Sequence, residues 1–152
     1  MSDAIIFSKN KASETQIANH LTLCDNEFVP PLSVRVRIDN YARKLHQRAT
    51  KFEAWQGETL IGLIAAYCND REKGIAFISS VSVLKNWTKK GIATRLLQEC
   101  IAYARSLKMR QISLEVARDN AMVFNFYTKN GFVIDHEKAE WLNMTFNITN
   151  RN

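Results

Sequence analysis

The chain has 152 residues, 46% of them hydrophobic and 24% charged, which suits one soluble domain, spanning residues 1–152, with a substantial core. Its longest apolar stretches, such as Leu60 to Tyr67, are far shorter than the ~20 residues that cross a bilayer, and "MSDAIIFSKN" lacks the basic and apolar regions of a signal peptide, so a cytoplasmic protein with no membrane partner is expected. Three widely spaced cysteines without a CxxC and three scattered histidines exclude a disulfide framework and a zinc site, leaving Cys24, Cys68 and Cys100 as small buried hydrophobes.

The elements follow in chain order. Ala4 to Phe7 is a candidate first strand. Glu14 to Leu23 has apolar residues at helical spacing behind Ser13, a suitable N-cap. "VPPLS" (Val29 to Ser33) is the one proline cluster and predicts a surface turn. "IDNYARKLHQRA" returns to helical spacing, with Asp39 and Asn40 able to begin the helix. The period then changes: "TKFEAWQGETLIGLIAAY" reads as two strands about a "QGET" hairpin turn. "IAFISSVSVL" carries no charge, which predicts a central strand covered on both faces. From Gly91 an apolar stripe of Ala93, Leu96, Leu97, Cys100, Ile101, Ala104 and Leu107 marks a long helix. "QISLEV" is a short strand, and "NAMVFNFYTKNGF" is a helix that Asn130-Gly131 stops. "FVID" and "WLNMTFNI" are the last two strands. The order is that of an α/β (α+β) domain built on one mixed sheet with helices on its faces.

The net charge of +6 is localised. Lys85, Lys89, Lys90, Arg95, Arg105, Lys108 and Arg110 stand against the single acid Glu99, and the rest of the chain balances. A local anionic ligand explains this economically; a nucleic-acid patch and a solvated helix face are the competing readings. A strand that turns at once into a helix leaves first-turn N–H groups without partners, at the positive end of the helix dipole. A phosphate placed there accepts several of them. Gly91 leaves the main chain open to such a ligand, Ala93 keeps the next contact small, and Lys89 and Lys90 add charge. Neither a P-loop nor a GxGxxG fingerprint is present.

Thr88-Lys89-Lys90-Gly91-Ile92-Ala93 resembles the acetyl-CoA loop of the GNAT superfamily of N-acetyltransferases, Gln/Arg-x-x-Gly-x-Gly/Ala, with Thr88 departing from the first position. The strand stretch "VSVLKNW" before it, uncharged as far as Leu84, the long amphipathic helix after it, and "EVARDNAMVFNFYTKNGF" some 25 residues on extend the likeness. The last resembles Asn-x-x-Ala-x-x-x-Tyr-x-x-x-Gly-Phe: Asn120, Tyr127, Gly131 and Phe132 match, and Val123 replaces the alanine. The resemblance covers residues 50 to 135 well and the N-terminal helices loosely.

The resemblance implies a mostly antiparallel sheet splayed between strands 4 and 5, acetyl-CoA as co-substrate, no metal, and direct attack of a primary amine on the thioester. It implies that Val81 and Val83 bind the pantetheine arm through main chain. Lys89, Lys90, Gly91, Ile92, Ala93 and Thr94 would hold the pyrophosphate, Asn120 and Phe124 would contact the cofactor, and Tyr127 would protonate the leaving thiolate. Asn120 and Tyr127, seven residues or nearly two turns apart, can share a face. The base is less evident, since no acid lies between Gly74 and Leu84. Glu115 is the nearest strand carboxylate, while His20, His46, Asp39 and Glu53 read as surface residues. The resemblance also implies that the first two helices and the last strands wall the acceptor site, here "NEFVPPLSVRVRIDNYARK" and "DHEKAEWLNM"; in the second, Asp135, Glu137 and Glu140 beside Trp141 form an acidic, aromatic rim suited to a cationic amine. The partner is then a small-molecule or peptide amine, nucleic acid is disfavoured, and a homodimer is left open. The competing functions are an acetyl-CoA-binding module without catalysis and a basic nucleic-acid-associated protein.

Overall fold

A computed structural model describes residues 4–148. Seven strands, β1 (Ile6–Lys9), β2 (Thr50–Gln56), β3 (Thr59–Asp70), β4 (Ile75–Val83), β5 (Gln111–Ala117), β6 (Val133–Glu137) and β7 (Trp141–Asn147), form one sheet in the spatial order β1-β2-β3-β4-β5-β7-β6. Only β4 and β5 run parallel among these neighbours. Helices α1 (Glu14–Leu23) and α3 (Ile38–Arg48), joined through the one-turn α2 (Leu32–Arg35), bury Ile17, Leu21, Ala42 and Leu45 against Leu60, Leu63 and Ala65 on one face. Helices α4 (Ile92–Ser106) and α5 (Ala121–Lys129) bury Leu96, Leu97, Cys100 and Tyr127 against Ile61, Ile64 and Ala66 on the other. This is the mixed sheet with helices on its faces that the pattern predicts, and it is mostly antiparallel as the resemblance implies. The first strand begins two residues later than expected, and short turns at Asp25–Glu27, Leu32–Arg35 and Lys85–Trp87 have too little periodicity to be read from sequence.

Local chemistry explains the boundaries. Ser13 caps α1 as expected: its hydroxyl accepts from Gln16 N at 3.1 Å while the Gln16 side chain accepts from Ser13 N at 2.9 Å, a reciprocal capping box. Helix α3 starts at Ile38, one residue before the polar pair Asp39-Asn40. Its far end is closed by the buried Lys51, whose Nζ donates to the carbonyls of Leu45, His46 and Ala49 at 3.3, 3.0 and 2.9 Å, satisfying the acceptors a helix end leaves over. All three cysteines are buried and free.

Two residues expected at the surface are buried. Glu53 is 0% exposed; its carboxylate accepts from Ser8 Oγ at 2.7 Å and from the N–H groups of Lys11 and Ala12, each at 2.9 Å. It ties the end of β1 to the start of α1 and is spent structurally. His20 is buried on α1, with Nδ1 2.8 Å from Leu60 O and Nε2 2.9 Å from Ser82 Oγ. The carbonyl can only accept, so Nδ1 carries the proton and Nε2 accepts from Ser82. His46 and Asp39 are exposed as expected.

Strand β4 is central but not covered equally on both faces. Its pairing with β3 runs Ala66↔Ile78 and then Ala65↔Ser80, so Ser79 is an extra residue, a β-bulge. Below the bulge Ala76 and Ile78 face α4; above it Val81 and Val83 do, while Ser80 and Ser82 turn to the α1 and α3 side. Tyr41 of α3 grips the bulge, its hydroxyl 2.6 Å from Ser79 Oγ and 3.2 Å from Ser79 O. Next door on β3, Gly62 lies flat under α4. A Cβ there would stand 2.8 Å from Ile92 Cγ2 and 3.3 Å from Leu96 Cδ1.

Burial lowers the pKa of His20 from 6.5 to about 4, the bonds to Leu60 and Ser82 opposing it only in part. Between those values the unfolded chain binds a proton that the folded chain refuses, so stability falls as pH falls through that window. At 1.36 kcal/mol per unit the loss is about 3 kcal/mol. Urea unfolding at pH 7 and pH 4.5 should show a smaller loss in His20→Gln, which cannot titrate, than in the wild type. Equal losses in both proteins would show that His20 is not the group responsible.

Candidate active site

The parallel pairing of β4 with β5 lasts for three residue pairs, Ile75↔Gln111, Ala76↔Ile112 and Phe77↔Ser113. The Ser79 bulge comes next, and from there the strands part. The gap is a cleft of about 240 Å³, edged by Ser79, Ser80 and Val81 of β4 and by Leu114, Glu115, Val116 and Ala117 of β5. Asn120, Val123 and Tyr127 of α5 line it from one side; Glu27, Phe28, Val29 and Arg35 from the turns before α3 line it from the other. Beyond Trp141 it adjoins a wider hollow of about 550 Å³ bordered by Pro30, Arg118, Asp119 and Glu140. The cleft therefore passes through the sheet, open to α5 on one face and to the α1–α3 connection on the other. Past Phe77, main-chain groups of β4 on this edge have no strand partner, so those near Val81 and Val83 can bond a ligand.

Gly91 is the N-cap of α4 with φ +79° and ψ 9°, and no side chain caps this end. Its carbonyl accepts from Arg95 N at 3.0 Å, which leaves the first-turn N–H groups of Ile92, Ala93 and Thr94 ahead of the first helical bond. A Cβ on Gly91 would meet nothing within 4 Å. The glycine thus serves the backbone conformation as well as the open approach inferred from sequence. Lys89 also has positive φ, +65°, unusual for a lysine and costing of order 1 kcal/mol. Lys89 and Lys90 are exposed. Arg95, in the next turn, is bound instead to Glu99 at 2.7 Å and lies over the Phe7 ring at 4.1 Å.

Tyr127 is 2% exposed, wedged edge-on against Phe126 and Phe132 with ring centroids 5.2 and 5.1 Å away. Its hydroxyl makes no hydrogen bond to any described residue, and the residue lines the cleft. Burial, with a smaller contribution from the nearby Cys100, holds its pKa above the usual phenol range, so it keeps its proton. Asn120 caps α5, its Oδ1 accepting from Val123 N at 3.3 Å; its amide nitrogen is left to the cleft that it lines. Phe124 packs against the core beneath α4 and α5 rather than edging the cleft.

Glu115 alternates away from Ile112, Leu114 and Val116, which are buried against α4, and so faces the α1–α3 side. Lys138 donates to it at 2.9 Å. The rim expected to be acidic is neutralised in part: Glu137 pairs with Arg118 at 3.1 Å, while Asp135 sits 3.0 Å from the His136 ring. Glu140 borders the outer hollow. Glu27, Phe28 and Arg35 reach the cleft from the connection after α1. The resemblance implied that the stretch from Asn26 to Lys44 walls the acceptor site, but no sequence signal picked out these three side chains; what selects them is tertiary. Among the described residues no cluster of three or more His, Cys, Asp or Glu side chains is placed to share a metal ion.

The profile of the acetyltransferase (GNAT) family matches residues 15–132. A stretch of 62 residues, 41% of this chain, is 37% identical to GCN5-related N-acetyltransferase 4, chloroplastic, of Arabidopsis thaliana, covering 21% of that protein. Another of 61 residues, 40% of this chain, is 34% identical to streptothricin acetyltransferase A of Bacillus subtilis, covering 35% of it. The matches thus span about a fifth and about a third of these relatives. The crystal structure of PaiA N-acetyltransferase from Thermoplasma acidophilum in complex with coenzyme A superposes with a TM-score of 0.74 at 18% identity, over 95% of this chain and 99% of that one, which shows a shared fold.

Because the Tyr127 hydroxyl has no hydrogen-bond partner among the described residues, removing it breaks none of the bonds described. Tyr127→Phe should therefore unfold in urea within about 0.5 kcal/mol of the wild type. A loss above about 1 kcal/mol would reveal a bond that the geometry does not contain.

Proposed function

The chain belongs to the acetyltransferase (GNAT) family, and on that premise we propose that it transfers an acetyl group from acetyl-CoA to a primary amine. The observation that carries this reading is the cleft between β4 and β5. It has unpaired strand edges along its length, and a proton-holding phenol with no partner sits inside it. The uncapped start of α4, with open space over Gly91, fits the pyrophosphate. The unpartnered main chain near Val81 and Val83 fits an arm that itself contains amides, and the Asn120 amide nitrogen adds a donor. When bound, acetyl-CoA supplies the acetyl group as a reactive thioester.

The residues of the chain divide the remaining work. Ile92, Ala93 and Thr94 donate main-chain N–H groups to phosphate oxygens, with Lys89 and Lys90 adding screened charge. N–H groups of β4 beyond the bulge are positioned to donate to a carbonyl oxygen as it gains charge. The cleft aligns amine and acyl carbon, which converts a two-body encounter into a local one. Tyr127, neutral at ordinary pH, gives its proton to the departing sulfur. Glu115, facing the side opposite the core, takes the proton released by the amine, directly or through a water.

Two experiments test this reading. Calorimetry with acetyl-CoA, coenzyme A and a short DNA duplex should show tight binding of the first two and none of the third. An amine panel followed by release of the coenzyme A thiol should find an acceptor. Duplex binding that weakens steeply with salt, in place of acetyl-CoA binding, would favour a nucleic-acid role. Gly91→Glu should abolish acetyl-CoA binding. Gly91→Ala bears the same positive φ, at about 1 kcal/mol, and should bind nearly as the wild type does. Full affinity in the Glu variant would remove the anion site from the start of α4.

Tyr127→Phe should lower kcat by about 10² to 10⁴ with little change in acetyl-CoA affinity, despite its unchanged stability. Wild-type turnover in that variant would show that solvent, and not Tyr127, protonates the sulfur. Glu115→Gln should lower kcat by about tenfold or more with little change in acetyl-CoA affinity. Turnover equal to the wild type would exclude Glu115 as the base.

A further inference from the structure

Arg35 is the one cationic side chain that lines the cleft, and it has no carboxylate partner among the described residues. The ion pairs among the described residues take Arg37, Arg43, Arg95, Arg118, His136 and Lys138. Arg35 takes none, although Glu27 and Glu115 line the same space. Its guanidinium lies instead over the indole of Trp141, 5.2 Å from the ring centroid. Arg35 and Trp141 come from opposite walls, α2 and the start of β7, so their contact crosses the mouth on the α1–α3 side.

The support for Arg35 is built rather than loose. The Asp25 carboxylate accepts from both Ser33 N and Ser33 Oγ at 2.7 Å, and Leu32 is buried in the core beneath, so the single turn that carries Arg35 is fixed at two points. A guanidinium laid on an aromatic face keeps its N–H edge free, and that edge matches the two oxygens of a carboxylate. Arg35 is exposed, so its free edge stands open at the mouth to an incoming ligand. Glu27, in the same mouth and itself without an ion pair, complements an ammonium.

We propose that Arg35 binds a carboxylate of the acceptor, so that the amine acetylated here is an amino acid or an amine of that zwitterionic kind. This rests on the acetyltransferase reading above for the identity of the reaction, but not for the binding itself. It also revises the rim expected from sequence: the mouth holds an unpaired cation where a surface selecting a purely cationic amine would hold none.

The test uses matched pairs, each an amino acid and its carboxamide, with one to four carbons between amine and carboxylate. For every pair, kcat/KM is followed by thiol release, and Kd is measured by calorimetry on the protein saturated with coenzyme A. The wild type should favour the acid over its amide by about tenfold or more in at least one pair, as one charge-assisted hydrogen-bonded contact provides. Arg35→Ala should bring that ratio near one while leaving acetyl-CoA affinity unchanged. Arg35→Lys should keep only part of it, because an ammonium lacks the fork. Equal treatment of acids and amides by the wild type, or a preference that survives in Arg35→Ala, would overturn the proposal. Arg35-dependent binding of acids without turnover of any amine would reject the transferase reading and uphold the site. Turnover with the amides preferred would do the reverse.

Discussion

The structure depends on where one ladder of hydrogen bonds stops. Parallel neighbours normally satisfy each other's main chain along their shared length, and here they do so for three residue pairs. Had the pairing continued, Ser79 to Val83 and Leu114 to Ala117 would have closed on each other and the sheet would be continuous. The single extra residue at Ser79 twists β4 out of register, and Tyr41 fixes that residue by both its side chain and its carbonyl. A buried donor or acceptor left alone costs of order 1–3 kcal/mol. A slot edged with such groups is therefore tuned to a ligand that carries amides of its own.

The cleft separates two kinds of chemistry. Toward α4 and α5 the walls are aliphatic and aromatic, and the one polar atom contributed by Tyr127 is neutral because charge is excluded there. Toward the α1–α3 connection lie Glu27, Arg35 and Glu115 with its Lys138 partner. The excess positive charge of the sequence serves neither wall directly. Lys89 and Lys90 stand in solvent at the start of α4, where screening leaves exposed charges only modest influence, so the oriented N–H groups there are the stronger feature.

How much of this was legible in the sequence follows from the range of the forces involved. Periodicity, caps and turns are local, and they gave the order of the elements, the Ser13 cap and the α4 stripe. The loop around Gly91 and the Asn120 to Phe132 segment announced themselves because a helix start and a helical spacing of seven are local too. Glu53 and His20 were misjudged because their partners lie forty or more residues away, and a charged residue in a strand looks the same whether it faces water or three donors. The uncharged run of β4 suggested two covered faces, yet the bulge made one side of it a cleft wall; nothing in "IAFISSVSVL" marks which serine is the extra one. The stretch that carries Arg35 was marked as an acceptor wall by resemblance alone; its contact with Trp141 was invisible for the same reason, since that partner comes 106 residues later in the chain.

Gly62 carries a different kind of consequence. It has no contact with the cleft, yet the first residue of α4 rests on it so closely that a methyl group would collide with Ile92. The height of the helix above the sheet, and with it the position of its free N–H groups, is thus set by the missing side chain of a residue on β3. An alanine there would raise or tilt that end of α4 like a shim under a beam. Sequence drift at a position remote from the proposed anion site would in this way move the N–H groups that form it, without altering one atom of that site.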